Sequence, residues 1–418
     1  MDKKRLALIL GFIVLCGLLG FLIYRVFFKS PTTVIQPGTT TQNNGSTNFP
    51  QTGQRTNQGQ TNGSGTLPTG SGQTAGGNNQ NGNTIPSGTN PVPNSQPLIS
   101  KAVNVNVGSP NSAPSGNARF YNKDDGKFYT LDATGQVRAL SDTVFYNVDK
   151  VTWSPQTNAS VIEYPDGSNI YYNFDSNTQV TLPKHWQDFS FSKEGTQIVA
   201  KSIGLSPDSR WLVSSDPTGN NVTLLEPLGD NASKVIVDYS PNRQVVALSL
   251  TGDSVGGQNQ EVLLIGQHHE NFKSIEVAGR GLQAQWSPTG DKLLHSVYSS
   301  RTDYKPELWI VDATPDTAGQ ERKPLGVNTW ASKCTMSDDR TVYCGVPQSL
   351  ETGAGFAPEV ANFTPDTFYK IDTVTGVRIE LATDGAAHVV DSMFVSQDGS
   401  NLYFTDKNQS GLFSIPLK

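Results

Sequence analysis

One repeat, held in phase along most of the chain, constrains the fold more than any other feature. Serines stand at positions 154, 192, 240, 287, 337 and 396, with spacings of 38, 48, 47, 50 and 59 residues. The residue before each is Trp153, Phe191, Tyr239, Trp286, Met336 or Val395, and three before stand Val151, Phe189, Val237, Ala284, Cys334 and Met393. Between them lie Thr152, Ser190, Asp238, Gln285, Thr335 and Phe394, five of the six polar. This is the two-residue period of a β-strand, recurring at the same point of each unit.

A second alignment fixes the size of the unit. Phe128–Asp132, Tyr171–Asp175, Leu308–Asp312 and Phe368–Asp372 each read as an aromatic or aliphatic strand ended by an aspartate, which opens a turn through bonds to its own backbone. Each unit then holds four strands joined as hairpins. Such a sheet cannot bury both its faces alone, so its neighbours must be further copies, and a ring of copies is a β-propeller. The units fall at about 118–140, 144–183, 184–229, 230–278, 279–326, 327–382 and 383–418. The expected fold class is therefore all-β, a propeller of about seven blades, with six as the alternative count. The first unit lacks its opening strand and the last its closing one. Ala102–Val107 alternates strictly and reads as one strand that completes the final sheet, followed by a loop over 108–116.

The Trp286–Leu293 turn (W-S-P-x-G-x-x-L), the Ser206–Val213 run (S-P-x-x-R-W-L-V) and the Leu308–Asp312 strand resemble the WD40-like repeats of the TolB-type propeller family, a repeat also similar to that of prolyl-oligopeptidase-like propeller domains. The resemblance covers roughly Phe120 to Lys418 and implies the fold. The amino-terminal α/β domain of the TolB family has no counterpart in this chain.

Ahead of the repeats the composition changes. Leu6–Tyr24 carries no charge, and 19 residues at about 1.5 Å each span about 28 Å, close to a bilayer's hydrocarbon thickness. Lys3, Lys4 and Arg5 precede it, against Arg25 and Lys29 after it, which favours a cytoplasmic N-terminus. No small-residue cleavage site follows, and Leu15 ahead of Cys16 is not the small residue of a lipidation motif. The expected organisation is a cytoplasmic tail (1–5), a single-pass membrane anchor (6–28) contacting the bilayer through Leu6 to Tyr24, a low-complexity flexible linker (29–101) and a propeller (102–418) outside the cell membrane. Between Ser30 and Leu98 the only charged residue is Arg55, and the Thr/Asn/Gln/Gly/Ser/Pro composition offers too little apolar area to fold. A net charge of −6, with no Lys/Arg run in the part expected to fold, argues against a nucleic-acid binder.

Candidate chemistry is sparse. Gly252-Asp253-Ser254-Val255-Gly256 matches G-x-S-x-G, but lies between two strand-like runs, whereas a nucleophile elbow needs a strand-to-helix turn. His268-His269-Glu270 reads as a hairpin end, since adjacent strand residues face opposite ways. No catalytic residue, metal or cofactor is expected. Cys334 and Cys344 flank a short turn and face each other across an antiparallel pair, as a disulfide or as two buried thiols. The longest insertion, Val346–Thr364, carries Leu350, Phe356 and Phe363, and either contacts a partner or packs on the next blade. The expected function is a non-catalytic, membrane-tethered scaffold binding protein or glycan. The alternatives are a hydrolase or other enzyme with its site in the propeller channel, and a plain surface spacer.

Overall fold

The computed structural model describes residues 98–418 apart from 271, 382 and 383. The expected tail, transmembrane segment and nearly all of the linker lie outside the described residues. Among those described, no helix is long and apolar enough to cross a membrane.

Seven antiparallel sheets follow one another along the chain. Blade 1 is built by Val107–Asn111, Ala118–Asn122, Lys127–Leu131 and Val137–Ala139, and blades 2 to 6 repeat this meander up to Arg378–Glu380. Blade 7 takes Val390–Val395, Asn401–Asp406 and Leu412–Pro416 from the C-terminus, and Ser100–Val103 pairs antiparallel with the last of these as its fourth strand. In blade 4 a two-residue strand, Ser254–Val255, is inserted against Asn259–Gly266, which also pairs with Ile275–Val277.

Seven apolar clusters lie one between each pair of consecutive blades. Val103, Leu412 and Tyr403 of blade 7 pack with Ala118, Phe120 and Leu131 of blade 1, so the last blade joins the first and the ring is closed. The repeated residues account for this packing. The serine of each unit follows the first strand, and in four of the six its hydroxyl accepts the backbone N–H five residues on: Gln197 to Ser192 (3.2 Å), Val245 to Ser240 (2.9 Å), Lys292 to Ser287 (3.1 Å) and Asn401 to Ser396 (3.0 Å). The tryptophans before it reach back one blade: Trp153 Nε1 donates to the Ser109 carbonyl at 2.8 Å and Trp286 Nε1 to that of Asp238 at 3.3 Å. The polar position two before the serine reaches forward. Ser190 Oγ accepts from the Tyr239 N–H, and Gln285 Nε2 donates to the Cys334 carbonyl at 2.9 Å.

Two expectations need correction. Ala102–Val107 is not one strand: Ser100–Val103 closes blade 7, residues 104–106 cross to the next blade, and Val107–Asn111 is the opening strand that blade 1 was expected to lack. The alternation misleads because Val103, Val105 and Val107 all pack into the same seam cluster, while the backbone changes partner between them. The sheet also begins at Ser100, so the last residues assigned to the linker belong to the folded ring.

The turns after Ser192 and Ser287 press on the preceding blade. Gly290 has φ +83°, and a Cβ there would lie 2.6 Å from the Asn242 backbone nitrogen. Its carbonyl accepts from Asn242 Nδ2 at 2.8 Å. Gly290→Ala is therefore expected to lose about 2–4 kcal/mol, from left-handed strain plus the clash, read as a lower urea midpoint at unchanged slope.

Candidate functional site

Because every blade is a meander, connections between second and third strands and between successive blades emerge on one face, called upper here, and the other hairpins on the opposite face. On the upper face a cleft of about 820 Å³ opens across the seam. Its walls come from the Asn104–Val107 crossover, the Lys123-Asp124 turn of blade 1, Asn362-Phe363 of the blade 6 insertion and residues 405–411 of blade 7.

The blade 6 insertion is pinned at several points. Leu350 packs on a small cluster of Trp330, Ala354 and Ala361. Phe356 sits between Tyr298 and Tyr304 of blade 5, with ring centroids at 4.6 and 5.1 Å, and the Gly353 and Gly355 N–H groups donate to the Asp303 and Tyr304 carbonyls at 2.8 Å. Phe356 thus packs on the neighbouring blade, while Leu350 packs within blade 6 itself. Phe363 is different: it is 84% exposed and lines the cleft. Asn408 Nδ2 donates to the Asn362 carbonyl at 2.8 Å, which ties the loop end to blade 7.

Below the cleft a buried polar network joins blades 6 and 7. His388, 2% exposed, lies between Asp406 (Nδ1 to Oδ2, 3.0 Å) and Asp384 (Nε2 to Oδ2, 3.1 Å). Lys333 Nζ meets both Asp366 oxygens at 3.0 and 2.8 Å, and the Val390 N–H donates to Asp366 at 2.6 Å. Burial pushes the Asp366 carboxyl up, against the opposing pull of Lys333. On the far side of the ring, Lys201 and Lys150 hold Asp188 at 2.8 and 3.7 Å, and Lys150 is 3.7 Å from Glu163. Burial raises the Glu163 carboxyl. These charges are occupied by one another. Asp238, in the polar series of first-strand residues, has its carboxyl pushed up to about 7 by burial.

The sequence candidates fall apart in space. Ser254 stands on the exposed hairpin of blade 4, where its hydroxyl accepts from Arg280 at 3.0 Å, and no helix follows it. His268 and His269 are exposed at a turn, and no cluster of metal-ligating side chains occurs among the described residues. Cys334 and Cys344 are directly opposite in the register of blade 6, with Cα atoms 4.1 Å apart and their sulfurs bonded. The cleft itself was missed. Its residues lie outside the repeat positions, and only Phe363 was singled out from the sequence.

His295 is a further buried group. It is fully enclosed on the second strand of blade 5, and neither ring nitrogen has a partner. Burial pushes its pKa down to about 4. The fold thus favours the neutral ring, and the stability this carries is complete above the unfolded value of about 6.5 and lost as pH falls from there towards 4, by about 3 kcal/mol. His295→Leu is expected to flatten denaturant midpoints between pH 7 and 4, and to raise stability at pH 7 by about 1 kcal/mol or more by removing the orphaned nitrogens.

No family model matches the chain, and no curated protein matches it. Among solved structures it is similar to the β-propeller domain of Cps50 (Swd1) from Myceliophteria thermophila, at 13% identity over 75% of this chain and 97% of that one, TM-score 0.51. Streptogramin B lyase is similar at 9% identity over 77% and 98%, TM-score 0.50. Oligogalacturonate lyase from Vibrio parahaemolyticus is similar at 11% identity over 78% and 95%, TM-score 0.49. What is shared is the β-propeller fold. At such identities the fold is all that carries over, because one propeller scaffold hosts many unrelated sites.

Proposed function

We propose that this chain is a non-catalytic binding module, tethered to the cell membrane through its N-terminal apolar segment and displaying the propeller outside, with its ligand held in the upper-face cleft at the seam. The observation that carries the reading is the cleft, which is assembled from blades 1, 6 and 7 and the crossover, and into which a pinned loop projects an exposed aromatic ring. The Cys334–Cys344 bond supports an oxidising compartment, where disulfides persist. The apolar run Leu6–Tyr24 and the charges around it support the tether. The test is a photo-crosslinking residue placed at Asn408 on intact cells, with Gln156 on the opposite face as control. Capture of an extracytoplasmic component from position 408 alone supports the reading. Equal capture from both positions, or from neither, overturns it.

A further inference from the structure

We infer that the cleft takes an electrically neutral, polyhydroxylated ligand, a sugar chain, with Phe363 as its stacking platform. This deepens the binding-module reading and rests on it.

The first argument is the ring itself. Leu350 and Phe356 each have packing partners, Leu350 in a small cluster with Trp330 and Phe356 between two tyrosines, whereas Phe363 has no ring partner among the described residues and is 84% exposed. Its position is fixed on either side, by the Asn408 bond to the Asn362 carbonyl at 2.8 Å and by the Thr364 N–H to the Ala361 carbonyl at 3.1 Å. A large ring with two side-chain torsions, carried on a pinned backbone at a cleft wall, presents an apolar face at modest entropic cost on binding, which suits the flat C–H face of a pyranose.

The second argument is the hydrogen-bonding stock. The side chains of Asn106, Asn362 and Ser410 line the cleft and have no partner among the described residues. An amide offers both donors and an acceptor, and a hydroxyl offers both roles, the pattern that vicinal hydroxyls require. Asn408 and Gln409 are used instead to build the wall, through bonds to the Asn362 and Ala387 carbonyls at 2.8 and 3.1 Å.

The third argument is charge. Lys407 is paired with Asp391 at 3.2 Å, and Asp406 is bonded to His388 at 3.0 Å. Lys123 and Asp124 cancel, so the lining carries at most the one negative charge of Asp406, which is buried against His388 and the Val389 N–H. A polyanion would find one free cation beside a carboxylate, and a protein partner would find a single ring among amides where an interface core needs a contiguous apolar patch. The volume of about 820 Å³ lies in the range of small-ligand clefts.

The test titrates the purified full chain in detergent, by calorimetry, with maltotetraose, cellotetraose, xylotetraose and tetra-N-acetylchitotetraose, and with polygalacturonate as an anionic probe. At least one neutral tetrasaccharide is expected to bind. Phe363→Ala should weaken it tenfold or more, Phe363→Trp should restore it, and Asn106→Ala should weaken it severalfold. Both positions are exposed, and unchanged thermal unfolding of the variants verifies their fold. The inference is overturned if none of the neutral probes binds at millimolar concentration, if Phe363→Ala binds as tightly as the parent, or if polygalacturonate binds best. Capture of a protein by the crosslinker at position 408, with no saccharide bound, would overturn the sugar assignment and leave the binding-module reading standing.

Discussion

Arg119→Ala is expected to cost about 3–5 kcal/mol, a large part of a domain's net stability. Arg119 lies on the second strand of blade 1, is 1% exposed and faces no carboxylate: its guanidinium donates to the Thr157 carbonyl at 2.8 Å and to the Ser154 carbonyl at 2.5 Å, and lies 4.6 Å over the Trp153 ring. Burial lowers its pKa to about 9. The side chain therefore clamps the first turn of blade 2 from blade 1. Removing it orphans two carbonyls and leaves a cavity against Trp153. Arg119→Met fills the space without the bonds and should lose about half as much, since one buried charge is removed along with its partners' satisfaction. Urea midpoints of the three proteins decide it. Equal midpoints for Arg119→Met and the parent would show that the carbonyls gain nothing from the clamp.

Loss of the closing strand is expected to have an effect of similar size. A chain lacking residues 1–103 leaves Leu412–Pro416 as a free edge and removes Ile99 and Val103, which are 8% and 5% exposed. Two buried aliphatic side chains at about 1.5–3 kcal/mol each, with the strand pairing, give a loss of roughly 5 kcal/mol. The bare edge should also promote association, visible as a concentration-dependent elution volume. Val103→Asp, which keeps the strand but sets a charge in the seam cluster, should reproduce the destabilisation. Unchanged urea midpoints in both variants would mean that the ring does not depend on this strand for closure.

These two positions mark what periodicity reports. The repeat serines, the aromatic residues before them and the aspartates that end third strands recur because every blade must make the same turn and pack on the same kind of neighbour. That is why seven sheets and their approximate bounds were legible. Asp132 and Asp372 cap their turns through Oδ1, accepting from Thr134 and Gln136, and from Val374 and Thr375. The crossover escaped because its valines keep one alternation while the backbone passes from blade 7 to blade 1: alternation records burial, not pairing. Arg119 escaped because a guanidinium satisfied by carbonyls in another blade has no sequence signature. The cleft escaped for the opposite reason. Asn106, Asn362, Phe363 and Ser410 come from loops that no other blade copies, and only the closing of the ring brings them together.

The crossover serves both the ring and the cleft, which ties two equilibria together. Force applied through the residues preceding Ser100 acts first on the one strand that blade 7 receives from elsewhere in the chain. A molecule seated across Asn104–Val107 and blade 7 is a clasp on that joint. At a hundredfold excess over its dissociation constant it adds about 2.7 kcal/mol to the shut state, and by the same linkage, prising the joint apart lets the molecule go.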